Sequence, residues 1–290
     1  MDAVAARTAR VAALKAQVDA RLDALCPPSG GRLTAAMHYA LSTPGKRLRP
    51  LLLLLTAAQL GQSAETALDA ACAVEMVHAA SLVLDDLPCM DDAAVRRGQP
   101  STHARFGQDV AVLAGVALLN QAYALLARAG HLPAEVRLAM VEALSGAVGL
   151  EGLVAGQALD LHEPVASLAG LREAHHRKTG VLFMAAVTLG GLIGGASLTE
   201  LLALERFAAE LGLAFQARDD VSDAGEVQPD YGAARTTLIS LLGHEGAVQE
   251  ADGRLTSSKR ALVAGGPRLE PLCAYVDLLM GERRVAEAAS

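Results

Sequence analysis

We predict an all-α fold from three features of the sequence. Ala and Leu dominate the composition, and β-branched residues are sparse outside short runs. The prolines lie mostly between apolar segments with helical periodicity. The chain of 290 residues, 52% of them hydrophobic, can bury a large core. Because no Ser/Gly/Pro-rich linker or shift of composition divides it, we expect a single domain over residues 1–290.

Turn residues divide the first part of the chain into helices. The first helix ends before Pro27-Pro28, the second before Pro44-Gly45, and the third begins after Pro50. Gly61-Gln62-Ser63 closes the third helix and caps the fourth, and residues 96–107 form a Gly- and Pro-containing loop. The predicted helices cover 3–24, 33–41, 51–60 and 64 to an acidic motif near 85.

The second part of the chain is predicted in the same way. Pro133 suits the first turn of a helix, and Ser197-Leu198-Thr199-Glu200 has the form of a capping box. After a loop over 224–235, two or three helices finish the chain, punctuated at Gly265-Gly266-Pro267. The predicted helices cover 108–129, 133–149, 150–162, 168–194 and the segment from the capping box to Asp223.

Composition excludes several classes of function. A formal charge of −7 and 3% aromatic residues argue against nucleic-acid partners, which select basic and aromatic surfaces. The four cysteines form no C-x-x-C pair, so we expect free thiols in a reducing, cytoplasmic compartment. The N-terminal segment lacks the apolar core of a secretory signal. The uncharged stretch 181–199 is interrupted by glycines, and we interpret it as a buried helix rather than a membrane span.

Two acidic clusters indicate the chemistry. The first contains Asp85, Asp86, Asp91 and Asp92, and the second contains Asp219, Asp220 and Asp223. So many carboxylates would repel one another without a cation among them, and hard cations with oxygen ligands are the usual solution. Each cluster follows an apolar helical run, so we predict that the two form opposing walls of one site. The alternative is that each cluster is merely a solvated helix end.

The spacing of the first cluster requires a break in the helix. Asp85 and Asp91 are six residues apart and would point to different faces of a regular helix. Pro88 lies between them, so we expect the helix to loosen there and the two aspartates to come back together.

At this point six ordered segments resemble the trans-isoprenyl diphosphate synthase family, and within it the bacterial geranylgeranyl diphosphate synthases. The resemblance spans roughly residues 30–245 and implies the family's all-α bundle around a central apolar cavity. The segments are Pro44-Gly45-Lys46-Arg47-Leu48-Arg49-Pro50, His78 to Asp91, Arg96-Arg97-Gly98, Gly156-Gln157 with Asp160-Leu161, Lys178-Thr179-Gly180, and Phe215-Gln216 with Asp219, Asp220 and Asp223.

The resemblance implies a role for each matching residue. Asp85 and Asp91 would hold two Mg²⁺ ions and Asp219 a third, and Asp86, Asp220 and Asp223 would support them. Isopentenyl diphosphate would bind Lys46, Arg49, His78 and Arg97, and the allylic diphosphate would bind Arg96 and Lys178. Thr179 and Gln216 would hydrogen-bond the substrate or orient the metal site.

Each of these residues has a structural alternative. Lys46 and Arg49 also fit a solvated turn, His78 a satisfied core histidine, and Thr179 and Gln216 ordinary capping or surface polarity.

The implied function is that of a prenyltransferase acting on isoprenyl diphosphates. The small Ala80, five residues before Asp85, replaces an aromatic that is typical of farnesyl-making relatives, which favours geranylgeranyl over farnesyl diphosphate as the product. The family also implies a homodimer without stable membrane insertion. One departure is the stretch 224–234, which is short and lacks lysine; Asp230 and Arg235 are the only matches there to family residues.

Two other functions compete with this one. The short stretch motivates a weakly active or regulatory subunit that keeps the fold. A class I terpene cyclase would share the first cluster, but it uses a different second metal motif and has no need of Lys46 and Arg49.

Overall fold

The structure is a computed structural model that describes residues 3–162, 167–223 and 236–287. Helices account for almost all of the regular structure, which confirms the all-α prediction. The chain divides into two compact units, Met1–Glu142 and Ala143–Ser290. The single domain over 1–290 and the central apolar cavity stay predictions. The four cysteines are free, as predicted.

The first unit is built from helices and one small hairpin. Helix α4 is mostly buried, and the consecutive leucines 51–55 of α3 all lie in the core. Its elements are α1 (Ala3–Leu25), α2 (Arg32–Ser42), α3 (Leu48–Gln59), α4 (Ala64–Asp85), β1 (Val95–Arg96), β2 (Gln99–Pro100), α5 (Thr102–Phe106), α6 (Gln108–Ala127) and the start of α7 (Ala134–Val148), whose last turns belong to the second unit.

Helix α3 begins three residues before its predicted start. Pro50 lies inside its first turn, where its missing N–H costs no hydrogen bond. The backbone hydrogen bonds of this helix begin at the next residue, Leu51, whose N–H donates to the carbonyl of Arg47 at 3.0 Å. The basic cluster that precedes Pro50 is therefore partly helical, which fixes the direction of Arg49.

The predicted loop 96–107 contains a two-stranded hairpin and the short helix α5. Arg96 pairs with Gln99, so Arg97 and Gly98 form a two-residue turn. Both have positive φ, 52° and 75°, as the tight hairpin turn that suits twisted strands requires. A two-residue strand leaves too little alternation in the sequence to predict it. The hairpin fixes the two consecutive arginines at its tip.

The second unit contains a π-helical turn that the sequence did not reveal. The predicted helix 168–194 is divided by a π-helical turn at His176–Gly180, and the predicted helix from 150 begins at Leu153. The helices are α8 (Leu153–His162), α9 (Leu168–His175), α10 (Val181–Ile193), α11 (Leu198–Asp223), α12 (Leu238–Ala264) and α13 (Leu272–Glu287).

Two glycines allow neighbouring helices to approach this π turn closely. A Cβ on Gly156 of α8 would lie 2.8 Å from the backbone nitrogen of Lys178. A Cβ on Gly212 of α11 would lie 2.7 Å from the Cα of Gly180. The π turn is therefore packed between α8 and α11, and π turns of this kind are frequent at functional sites.

The other predicted helix boundaries in the described part of the second unit agree with the structure to within a few residues. The side-chain oxygen of Ser197 accepts from the N–H of Glu200 at 3.3 Å, and Glu200 accepts from the N–H of Ser197 at 2.8 Å, which confirms the capping box. The Gly265-Gly266-Pro267 segment separates α12 from α13, as predicted. The predicted loop 224–235, including Asp230 and Arg235, lies outside the described residues.

Among the described residues, three stretches are long and apolar enough to cross a membrane by length and composition. They are Ala64–Asp85, Gln108–Ala127 and Ala134–His162, and 67%, 44% and 22% of their most apolar windows are buried in the protein. The glycine-interrupted stretch that begins at Val181 forms the 13-residue α10, most of which is buried as predicted.

Candidate active site

The first acidic cluster lies where α4 ends. Asp85 is the last residue of this helix, and both Asp85 and Asp86 are buried, with 9% and 2% exposure. Beyond Pro88 the chain turns back, and the N–H of Asp91 donates to the carbonyl of Asp85 at 2.8 Å. This confirms that the helix loosens after Asp85 and brings the backbones of the two aspartates together. Their backbones now lie on one tight turn. The convergence of their carboxylates stays a prediction.

Asp86 forms an ion pair with Arg96, which lies in the hairpin strand β1. The Nε of Arg96 donates to both carboxylate oxygens at 2.8 and 2.9 Å, and Nη2 lies 2.6 Å from Oδ1. Burial alone would lower the pKa of Arg96, but Asp86, and then Asp85 and Asp91, raise it above its usual value. Asp86 therefore holds a guanidinium beside the turn that carries the other two aspartates.

A basic cluster lies in the same unit. Nη1 of Arg49 is 3.4 Å from Nε2 of His78, at the long end of hydrogen-bond distance. Nη1 of Arg97 donates to the carbonyl of Pro44 at 2.7 Å, and Lys46 is exposed two residues further on. Burial, followed by the positive charges of Arg49 and Arg97, lowers the pKa of His78 well below its usual value. The cluster has the positive charge to hold an anion beside a neutral imidazole, and this role stays a prediction.

Arg47 holds the turn that presents these cations. It has positive φ and only 8% exposure. Its Nε donates to Asp19 at 2.8 Å and its Nη1 to Glu75 at 2.7 Å, and Nη2 donates to the carbonyl of Leu41. Arg47 therefore points into the protein, between Lys46 and Arg49. The sequence analysis assigns no role to Arg47, because a basic run alone does not show which of its cations is internal.

A cavity adjoins both clusters in this unit. Its lining includes His78, Asp86, Arg96 and Arg97, together with Ala79 and other apolar side chains of α4. Ala80 is fully buried and is not among the described residues that line this cavity. The role of Ala80 in chain length therefore stays a prediction.

The second unit holds the remaining predicted residues around the π turn. Nζ of Lys178 donates to Oδ2 of Asp160 on α8 at 2.6 Å, and Thr179 is buried with 6% exposure. Burial lowers the pKa of His175, with Lys178 acting in the same direction and Asp220 and Asp160 opposing it. The sequence analysis names Asp160 only as part of a motif. Its negative charge, three residues after Gln157, was the one feature from which a contact with Lys178 could have been predicted.

The end of α11 carries the second acidic cluster. Gln216 and Asp219 follow Gly212 by four and seven residues, so they share the helix face that approaches the π turn. Oδ2 of Asp220 accepts from the N–H of Leu238, the first residue of α12, at 2.7 Å. Asp220 thus joins α11 to α12. Asp223 is the last residue of α11, and its side chain lies outside the described residues.

The acidic residues of the first cluster suit a metal ion that is held partly by the protein and partly by the phosphate groups of a substrate. Within the described ranges, no three His, Cys, Asp or Glu side chains lie together as a metal site. Mg²⁺ commonly takes one or two carboxylates and completes its shell with water and phosphate. The turn carrying Asp85 and Asp91 fits this pattern. The apposition of this turn with Asp219, which belongs to the other unit, stays a prediction.

Comparison with known proteins identifies the family. The polyprenyl synthetase family model matches residues 31–234, more than half of the chain. The chain belongs to the polyprenyl synthetase family. It is 45% identical over 249 residues to a geranylgeranyl diphosphate synthase of Pantoea ananas, covering 82% of this chain and 81% of that protein. It is 41% identical over 243 residues to a farnesyl diphosphate synthase of Geobacillus stearothermophilus, covering 80% and 82%.

A solved member of the family has the same fold. The structure of an FPP/GFPP synthase from Zymomonas mobilis, without ligands, matches with a TM-score of 0.85 and 32% identity, covering 94% of this chain and 98% of that one. The similarity to a family of trans-isoprenyl diphosphate synthases, the isoprenoid synthase fold and the assignment as a prenyltransferase are therefore confirmed. The roles of the individual site residues stay predictions.

Proposed function

We propose that the protein condenses isopentenyl diphosphate with an allylic diphosphate, dimethylallyl, geranyl or farnesyl, and releases mainly geranylgeranyl diphosphate. One observation carries the proposal. A turn that brings Asp85 and Asp91 together lies in the same unit as the cluster of Arg49, His78 and Arg97, and one cavity adjoins Asp86 and His78. Carboxylates suited to Mg²⁺ and cations suited to a second diphosphate are what this reaction needs.

The allylic substrate reacts by losing its diphosphate. Mg²⁺, three ions by the family pattern, would neutralise the charge that builds up on the leaving group, held by Asp85, Asp91 and Asp219. Arg96 and Lys178 add fixed positive charge to the same group, and their partners Asp86 and Asp160 hold them in place. Thr179 and Gln216, on the π turn and on the face of α11 beside it, orient the substrate.

Isopentenyl diphosphate binds the basic cluster. Arg49 and Arg97 offer forked donors and Lys46 a point charge. A neutral His78 accepts from Arg49 through Nε2, so its Nδ1 carries the proton and remains a donor. The double bond of this substrate attacks the allylic cation, a carbon–carbon bond forms, and the proton lost from the intermediate passes to the released diphosphate.

The proposal also specifies the chain length of the product. A small residue at Ala80 leaves room for a chain longer than farnesyl, and the relative from Pantoea ananas is a geranylgeranyl diphosphate synthase. The farnesyl alternative is supported by the 41% identity to the farnesyl diphosphate synthase of Geobacillus stearothermophilus. Chromatography of the products distinguishes the two.

We also propose a cytoplasmic homodimer without membrane insertion. Three apolar side chains on one side of helix α6 are exposed to solvent. The exposed fractions of Val112, Leu113 and Val116 are 41%, 57% and 57%. An apolar stripe of this kind is costly in water and suits a second copy of the chain. Sedimentation of the pure protein with and without detergent tests both statements, since a monomer or a detergent requirement contradicts them.

The decisive experiment is a product assay. Pure protein is incubated with isopentenyl diphosphate, each allylic primer and Mg²⁺, and the products are separated by chromatography. We expect C20 diphosphate with the short primers. If every primer fails to give an elongated product, the enzyme proposal is wrong and the regulatory-subunit alternative takes its place.

A further inference from the structure

Gln157 on α8 is a buried amide that the described part of the protein leaves unsatisfied. The residue is 8% exposed, and neither Nε2 nor Oε1 is accessible to solvent. Among the described residues, neither atom has a hydrogen-bond partner. Buried amides are almost always paired, because leaving one unpaired is costly. An amide kept at such a cost indicates a partner that arrives from outside the protein.

The position of Gln157 indicates where that partner binds. Gly156, its neighbour, contacts the backbone of the π turn at Lys178, and Asp160, three residues later, holds the Lys178 ammonium at 2.6 Å. At 3.6 residues per turn, Gly156, Gln157 and Asp160 lie within an arc of about 100° on α8. Gln157 therefore lies on the side of α8 that faces Lys178 and Thr179.

A diphosphate suits this amide better than another protein group does. It carries only acceptor oxygens, so it satisfies Nε2, and ordered water that enters with it satisfies Oε1. We propose that Gln157 is a further substrate-contacting residue, which donates from Nε2 to the diphosphate of the allylic substrate held by Lys178. The inference rests on the proposed function, which supplies that substrate.

The test compares stability without ligand with affinity for one. Gln157→Leu removes the unsatisfied amide, so the unliganded variant is expected to melt at or above the wild-type temperature. Its affinity for geranyl diphosphate with Mg²⁺, measured by calorimetry without isopentenyl diphosphate, is expected to fall roughly 10- to 100-fold. Gln157→Glu is expected to lose more, because an ionised carboxylate cannot donate and repels the ligand.

Thr56 provides the matched control. Its side-chain oxygen is also buried and without a described partner, but it lies in the core of α3 in the first unit. Thr56→Val should leave the affinity for geranyl diphosphate unchanged.

Two results would overturn the inference alone. One is a melting temperature of Gln157→Leu several degrees below wild type, which would reveal a partner within the folded protein. The other is wild-type affinity in that variant. If the wild-type protein itself neither binds geranyl diphosphate nor elongates it, the proposed function fails as well.

Discussion

The backbone N–H of Asp91 donates to the backbone carbonyl of Asp85 at 2.8 Å, so the two aspartates flank one turn although six residues separate them. A regular helix would have directed them to different faces. The hydrogen bond bypasses Pro88, which has no N–H to continue the ladder. The turn therefore places the backbones of the two proposed metal ligands side by side.

Asp85→Asn is expected to reduce turnover at least about a thousandfold, because a neutral amide cannot neutralise Mg²⁺ at the leaving diphosphate. Folding should change little, and circular dichroism with thermal melting checks this. Asp92→Asn is the matched control, since Asp92 is exposed on the same turn and Asn tolerates its positive φ of 49°. Near-normal turnover in Asp85→Asn contradicts the metal assignment.

Arg47→Met is expected to destabilise the protein by about 3–5 kcal/mol, because it leaves the Glu75 carboxylate buried without its cation. The side chain of Glu75 is only 5% exposed. The double variant Arg47→Met/Glu75→Leu should recover much of that loss, and urea unfolding measures both. Additive losses in the double variant would show that the pair is not coupled.

Gly212→Ala is expected to lower both stability and turnover. Its Cβ would lie 2.7 Å from the Cα of Gly180, and backbone cannot move aside as a side-chain tip does. We expect a loss of about 1–3 kcal/mol together with a displaced π turn. Gly253→Ala is the control, since nothing lies within 4 Å of its Cβ position in α12, and it should stabilise by about 0.5–1 kcal/mol. Equal effects at the two glycines would rule out the close contact.

Glu250 should make stability depend on acid pH. Burial would raise the pKa of this carboxyl, but hydrogen bonds from Arg172 and Arg254 outweigh burial and hold the pKa below its ordinary 4.5. The ionised form therefore stabilises the fold above about pH 4.5, and that contribution is lost as the pH falls through the lower folded value. The difference in melting temperature between wild type and Glu250→Gln should shrink as the pH falls below about 4.5. A constant difference over this range argues against the linkage.

Ala80→Tyr should shorten the product toward farnesyl diphosphate if Ala80 borders the prenyl chain. Ala80 is fully buried, so the same variant distinguishes open space from solid packing. Shorter products with a small change in melting temperature support a chain-length role. A large fall in melting temperature with unchanged products would mean that the tyrosine only overpacks the core.

The sequence predicted those features that depend on local signals. The capping box at Ser197 and Glu200, the break at Pro88 and the separation of α12 from α13 each follow from a few adjacent residues. The all-α class followed from composition over the whole chain. The six motifs predicted the family correctly because their order along the chain is itself specific.

The features that were missed depend on contacts between distant residues. The π turn is accommodated by the glycines at 156 and 212, which lie on other helices. The inward direction of Arg47 depends on Asp19 and Glu75, and the basic run itself does not reveal it. Both require tertiary packing, which overrides local preference.

The hairpin tip has a consequence for how the two substrates are spaced. Arg96 and Arg97 are consecutive, yet the first pairs with Asp86 and the second with the carbonyl of Pro44. If each arginine serves its own diphosphate, a single peptide unit of about 3.8 Å links the two anion sites. The hairpin tip then ties both anion sites to a single turn, and one residue inserted between the arginines is expected to displace one anion site relative to the other.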